Sequence, residues 1–438
     1  VKPVQIGLLG LGTVGAGTVN VLARNGAEIA RRAGRGIQVA RASVRDPDKP
    51  RGCATAGIAL TTEPLEVVEA PDIDIVVELM GGTGLARELI LRAIANGKHV
   101  VTANKALIAL HGNEIFKAAR RQGVMVAFEA AVAGGIPIIK AIREGLAGNR
   151  IAWLAGIVNG TSNFILSAMR EEGRAFAEVL VEAQRLGYAE ADPSFDVDGT
   201  DAAHKLTILA AIAFGKPLQF DKVYREGISA ITPEDIAYAE ELGYRIKPLA
   251  MARRVDRGVQ LRVHPTLIPR RRLIANVDGV MNAILVKGDA VGPTLYYGAG
   301  AGAEPTASSV VADLVEVVRT LTTDPENRVP HLAFQPEAIS DLPIVPMEDV
   351  VTAFYLRMTV VDRPGVLGEI ATVLGRYGIS IEALVQKEPP PGVDRVPLIM
   401  LTHRVREGQV NEAIAHIESL ESVSGHVMRI RVEPLEGD

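Results

Sequence analysis

Aliphatic runs and amphipathic stretches alternate along the first third of the chain. Residues 4–9, 37–44, 73–79, 99–102 and 124–128 are short runs rich in aliphatic residues, and residues 86–96 carry apolar side chains at helical spacing. Strands buried on both faces and joined by helical crossovers read this way, so the pattern predicts a parallel α/β sheet. From about residue 151 the pattern changes. A strand is expected at 153–158, helices through 186, an Ala/Leu/Ile-rich helix at 202–214, another helix at 233–242, and strands at 247–255, 259–265 and 279–288. Prolines at 325, 330, 336, 343 and 346 with few periodic apolar positions then predict a linker. Beyond it, residues 352–360 alternate like a half-buried strand, and the order strand, helix, strand, strand, helix, strand runs to residue 432.

The first strand is followed at once by Gly10-Leu11-Gly12-Thr13-Val14-Gly15 and then by a helical stretch. Gly10 permits a tight turn, Gly12 lets the backbone approach a pyrophosphate, and Gly15 allows helix and strand to pack closely, while the helix N-terminus offers amide donors to the anion. This strand, turn and helix predict a Rossmann-type dinucleotide-binding domain. The second strand ends at Arg45-Asp46. An arginine there pairs with the 2′-phosphate of NADP, whereas an acid accepts from the ribose hydroxyls of NAD, so Arg45 favours NADP and Asp46 leaves NAD open. A second glycine loop at 298–306 leads into a helix expected at 307–321 and returns the chain to the first domain. The expected domains are therefore 1–130 rejoined by 300–321, an α+β catalytic and dimerisation domain at 131–300, a linker at 322–350, and a βαββαβ domain at 351–433.

Between Glu190 and Asp201 five carboxylates fall within twelve residues, in a loop broken by Asp192-Pro193 and Asp198-Gly199. Asp201 and Lys205 are four apart and share one helix face. Because Lys205 sits among Leu206, Ile208, Leu209 and Ile212, it is expected to be buried, and a buried lysine needs a carboxylate or a lowered pKa. Lys105 follows a strand end, where a parallel sheet gathers its ligands. Glu129 precedes a glycine-rich turn at 131–137 whose carbonyls, with that carboxylate, form a hard-oxygen environment suited to a Na⁺-like cation.

Composition narrows the class. The 438 residues are 48% hydrophobic and 23% charged with a net charge of −5, ordinary for a globular enzyme. Only Arg270-Arg271-Arg272 forms a basic run, so no nucleic-acid partner is expected. The one cysteine, Cys53, excludes an internal disulfide and suits a cytoplasmic setting, and no apolar run is long enough to predict a membrane span.

The stretch from Gly187-Tyr188 through Lys205 resembles the homoserine dehydrogenase signature GYxExDPxxDvxGxDaxxK, with the family's Asn104-Lys105 pair and its NGTxN turn at Asn159 to Asn163. The resemblance implies NAD(P)-dependent interconversion of L-homoserine and L-aspartate 4-semialdehyde in threonine, methionine and isoleucine biosynthesis, in a homodimer or homotetramer. It implies that Glu190 and Asp201, with Asp196 beside them, bind the amino-acid substrate. It implies that Lys205, the proton-transferring residue, and Lys105, in contact with cofactor and substrate, are the catalytic residues, while the chemistry of the two lysines alone leaves open which of them moves the proton. It further implies nicotinamide-nucleotide contacts at Leu11, Thr13, Val14, Arg45, Lys105, Gly187 and Gly302, and a sodium site at Glu129 with the carbonyls of Val132, Gly134 and Ile136. The tail resembles an ACT domain, whose Asp362-Arg363-Pro364-Gly365 turn would receive a threonine effector near Gly365; the alternative is a module serving oligomerisation alone. On this reading the chain truncated after Leu342 stays active and no longer responds to threonine.

Overall fold

The computed structural model describes residues 2–387 and 392–436, and their contacts divide into two units. The first unit holds residues 1–160, 200–223 and 280–342, and the second holds 161–199, 224–279 and 343–438.

In the first unit six parallel strands lie in the order Ala59–Thr61, Ile37–Ser43, Val4–Leu9, Ile75–Glu78, His99–Thr102 and Val126–Ala127. The sheet builds outward in one direction from Val4–Leu9 and then in the other. A crevice therefore opens beyond the carboxyl end of that strand, where the connecting loops diverge. Val4, Ile6 and Leu8 share a core with the helices Thr13–Ala33 and Ala303–Thr320. The two helices meet at Gly17, where a Cβ would lie 2.4 Å from the Ala303 carbonyl oxygen, so only glycine allows the approach.

The second glycine loop is shorter than the sequence predicts. Gly298 and Ala299 end the strand Gly292–Ala299, which pairs as a hairpin with Met281–Gly288, and the helix begins at Ala303 rather than 307. Pro305 is tolerated because the first-turn N–H groups have no intrahelical acceptor to lose. Met281–Gly288 pairs on its other edge with Ile151–Ile157. The helix Thr200–Phe214 buries 13 of its 15 residues, as its nearly all-round apolar pattern requires.

In the second unit the long hairpin Tyr244–Val255 and Gly258–Pro269 adjoins a βαββαβ unit. Its strands run Ile381–Gln386, Arg395–Thr402, Val351–Val361, Val423–Val432 across the sheet. Phe354, Leu356, Met358 and Val360 face a core with the helices Val366–Arg376 and Glu407–Glu418. Tyr355, Ile399, Leu401 and Ile430 face the other way, into a second core with Ile165, Val179 and Ile236. Arg431 and Val432 then extend the last strand alongside Thr266 and Leu267.

The βαββαβ sheet therefore has one face packed on its own helices and the other on residues of the 161–199 and 224–279 segments. Residues 322–342 are also held down: Arg328 Nη1 donates to the Gly123 carbonyl (2.7 Å), His331 stacks on Phe116, and Lys216 Nζ donates to the Leu342 carbonyl (2.9 Å). Among the described residues no helix is long and apolar enough to cross a membrane.

Candidate active site

The carboxyl edge of the parallel sheet is organised by backbone geometry first. Gly10 has φ +100°, a conformation that favours glycine, and a Cβ at Gly15 would lie 2.5 Å from the Gly10 carbonyl oxygen. No atom lies within 4 Å of a Cβ built on Gly12, so this turn presents open space directly before the helix N-terminus. Leu11 is buried, Val14 is half-buried and Thr13 is exposed. That set fits a pyrophosphate: close packing behind the turn, free backbone in front. Arg45 is exposed just past Ile37–Ser43, while the Asp46 carboxylate accepts from the Asp48 amide (3.0 Å) and so caps its own turn.

Glu78, fully buried, organises the neighbouring loop. One carboxylate oxygen accepts from the amides of Met80 (2.9 Å) and Gly81 (3.0 Å), and the other accepts from Thr102 Oγ1 (2.7 Å). Thr102 Oγ1 in turn accepts from the Asn104 amide, and Asn104 caps the helix Lys105–Gln122 while donating to the Gly82 carbonyl (2.7 Å). Lys105 thereby starts its helix at a fixed place. The sequence showed Glu78 only as the acid ending an apolar strand; three hydrogen bonds to its own sheet edge are what its burial required.

The centre of the site is Asp201, which is 2% exposed. Lys105 Nζ lies 2.8 Å from its Oδ1, and Lys205 Nζ lies 2.7 Å from its Oδ2. Asn159 Nδ2 donates to the same Oδ2 (2.8 Å), and Lys205 Nζ also donates to the Val158 carbonyl (2.6 Å). Burial pushes the Asp201 carboxyl up, but the two ammonium groups outweigh it and hold the group well below the usual carboxylate range. Lys105 and the distant Asp201–Lys205 pair thus form one cation, anion, cation bridge. The i,i+4 spacing revealed the Asp201–Lys205 half of it; Lys105 and Asn159 arrive through tertiary packing.

Other predicted residues are placed differently. Glu190, Asp196 and Gly187 belong to the second unit. Glu190 is exposed and its carbonyl accepts from Gln184, while the Asp196 carbonyl accepts from Ser162 Oγ (3.0 Å). Gly302 is exposed with φ +133° at the start of the Ala303–Thr320 helix. Gly365 has φ +99° on an exposed turn heading the Val366–Arg376 helix.

Glu129 is buried, and its two carboxylate oxygens accept from the amides of Ile139 and Lys140 (2.9 Å each), so it caps a helix start across the turn. Val132, Gly134 and Ile136 line that turn, and the Gly134 carbonyl accepts from Ser309 Oγ (2.6 Å). Asp313, which no sequence motif marks, lies beside them and accepts from the Glu129 amide (2.7 Å). Burial, with Glu129 and Glu316 nearby, pushes the Asp313 carboxyl up to about 7.

Comparison with known proteins agrees with this architecture. Residues 10–129 match the family model described as the NAD binding domain of homoserine dehydrogenase, residues 137–315 match the homoserine dehydrogenase model, and residues 354–422 match the ACT domain. A homoserine dehydrogenase of Pseudomonas aeruginosa is 67% identical over 434 residues, 99% of this chain and 100% of that protein. The crystal structure of a homoserine dehydrogenase from Thiobacillus denitrificans superposes with a TM-score of 0.95 at 67% identity, covering 99% of each chain. A hyperthermophilic archaeal homoserine dehydrogenase in complex with NADPH matches with a TM-score of 0.60 at 26% identity, over 73% of this chain and 98% of that one. The chain belongs to the homoserine dehydrogenase family of oxidoreductases, with a nicotinamide-dinucleotide-binding domain and a C-terminal ACT domain.

Proposed function

We propose that the chain interconverts L-aspartate 4-semialdehyde and L-homoserine using NADPH in preference to NADH, with Lys205 moving the proton. The observation that carries this reading is the bridge Lys105, Asp201, Lys205 in the unit that also holds the glycine turn. The bound nicotinamide supplies or accepts the hydride. Reduction of the aldehyde leaves an alkoxide that must take a proton, and an ammonium group serves that step. Asp201, ionised by its surroundings, keeps both lysines charged and aimed. One carboxylate against two ammonium groups leaves a net positive charge to stabilise the developing oxyanion.

The engagement of both Asp201 oxygens by Lys105, Lys205 and Asn159 supports a role for Asp201 as the anchor of the lysine pair beside the substrate. Glu190, exposed on its own loop, suits the substrate ammonium. Arg45 supports NADPH, since the neighbouring acid is occupied in its own turn, and the archaeal relative's NADPH complex agrees. Glu129 with the carbonyls of Val132, Gly134 and Ile136 would hold a monovalent cation such as Na⁺. What supports this is the buried Glu129 carboxylate, raised by burial, at the head of that turn, since a hard cation favours its ionised form. Threonine would bind at the Gly365 turn.

Following NADPH oxidation with L-aspartate 4-semialdehyde tests the activity, with Asp201→Asn as the diagnostic variant. Loss of turnover with nucleotide binding kept supports the anchor; unaltered turnover removes Asp201 and the bridge from the reaction.

A further inference from the structure

We propose that Asn282 is a further ligand-contacting residue of this site, presenting its side-chain Nδ2 to a carbonyl oxygen of the bound reactants. The proposal rests on the assignment of the Lys105, Asp201, Lys205 cluster as the hydride-transfer site. Asn282 is 1% exposed, and its Nδ2 has no hydrogen-bond acceptor among the described residues. Burying an amide donor without an acceptor destabilises a fold, and an apolar side chain would avoid the cost, so a polar side chain kept here points to an acceptor that arrives with a ligand.

Its position says which ligand. Asn282 is in the strand Met281–Gly288, where Ala283 pairs with Ile157. One step further out, Asn282 lies at the level of Val158, whose carbonyl holds Lys205. On the opposite edge it pairs with Gly298, at the start of the glycine segment leading to Gly302. A Cβ on Gly300 would lie 1.5 Å from Asn282 Oδ1 and 2.2 Å from its Cγ, so the carboxamide occupies the space that glycine leaves open. The segment beyond Gly300 runs into the Ala303–Thr320 helix, which packs on the first helix of the nucleotide-binding domain. Asn282 thus stands between the anchor of Lys205 and the loop that returns to the cofactor side.

Two carbonyl oxygens meet at such a place during hydride transfer: the carboxamide oxygen of the nicotinamide and the aldehyde oxygen of the substrate. Either accepts from Nδ2. Three measurements on Asn282→Ala and on the shape-conserving Asn282→Asp separate them: affinity for NADPH, affinity for 2′-phospho-ADP-ribose, which lacks the nicotinamide, and kcat with L-aspartate 4-semialdehyde. A tenfold or greater loss of NADPH affinity with 2′-phospho-ADP-ribose binding within twofold of the parent identifies the nicotinamide carboxamide. Unchanged NADPH affinity with kcat reduced tenfold or more identifies the aldehyde oxygen. If both variants keep NADPH affinity and kcat within twofold, or if 2′-phospho-ADP-ribose binding is lost along with NADPH binding, Asn282 is a structural residue and the proposal is overturned.

Discussion

Two buried aspartates of the same unit behave in opposite ways. Asp201 and Asp313 are both 2% exposed or less, and burial pushes each carboxyl up. Asp201 meets the ammonium groups of Lys105 and Lys205 and is held far down. Asp313 lies 3.5 Å from Lys140, but Lys140 also pairs with Glu316 (2.8 Å) and Glu129 lies alongside, so Asp313 rises to about 7. Burial raises both; two ammonium groups reverse that rise at Asp201, and the single shared one at Asp313 does not. The first cluster carries surplus positive charge, as a forming oxyanion needs; in the second, Lys140 and Arg143 both pair with Glu316, and the buried Asp313 is left to take up a proton.

Removing the negative centre of the first cluster has the largest expected effect. Asp201→Asn leaves two ammonium groups facing each other without their counter-ion, and breaking a buried pair in this way costs about 3 kcal/mol or more. Chemical denaturation should show that loss together with a collapse in turnover. Its counterpart in the second unit is Arg357, whose Nε lies 2.6 Å from Asp235 Oδ1, with Asp235 fully buried beneath the ACT sheet. Arg357→Ala strips a buried carboxylate of its cation, and a comparable loss of stability is expected. A melting temperature equal to the parent's would show that the interface is held by apolar contacts alone. For the same reason deletion of residues 343–438 should yield an aggregating or unfolded protein rather than an active, threonine-insensitive enzyme, because it uncovers Ile165, Val179 and Ile236.

A smaller effect concerns the cofactor edge. Arg45→Ala should weaken NADPH by about 1.5–3 kcal/mol, the value of a hydrogen bond to a charged group, and leave NADH nearly unchanged. Equal losses for both nucleotides in a binding titration would remove Arg45 from 2′-phosphate recognition.

The smallest effect tests the second cluster through pH. Asp313 has a folded value of about 7 against an ordinary 3.8, so between these the native state holds a proton that the unfolded chain has released. Its contribution therefore favours folding below pH 3.8, declines as pH rises towards 7 and is level above that. Asp313→Asn should flatten that decline in a stability-versus-pH series. Adding Na⁺ should flatten it as well if a cation settles beside Glu129, by favouring the ionised carboxylate; Na⁺ without effect on the slope counts against the cation. Asp201 works in the opposite sense: its stabilisation is present above pH 3.8 and is lost only as pH falls through its strongly depressed folded value.

Backbone-encoded features were legible in the sequence. The Gly10 turn, the strand His99–Thr102 and the βαββαβ order follow from glycine placement and apolar periodicity, which local chemistry dictates. The strand Gly292–Ala299 escaped because Gly292, Pro293, Gly298 and Ala299 give no alternation to detect, and its pairing with Met281–Gly288 supplies the order instead. At the site, the Asp201–Lys205 pair was visible as a helix spacing. Asn159 on Asp201, Glu78 on the Gly81 loop and Asp313 on Glu129 are contacts between residues 24 to 184 positions apart or caps on irregular backbone, and no local pattern records them.

The measurement that bears most directly on the account is the turnover number of Lys205→Ala at saturating NADPH and L-aspartate 4-semialdehyde, alongside its NADPH affinity. The glycine turn holds the nucleotide independently of Lys205, so the affinity should stay within a few fold of the parent. Loss of the proton-transferring group should lower kcat by about 10²–10⁴-fold. A variant that binds NADPH normally and turns over at the parent's rate would contradict the assignment of Lys205.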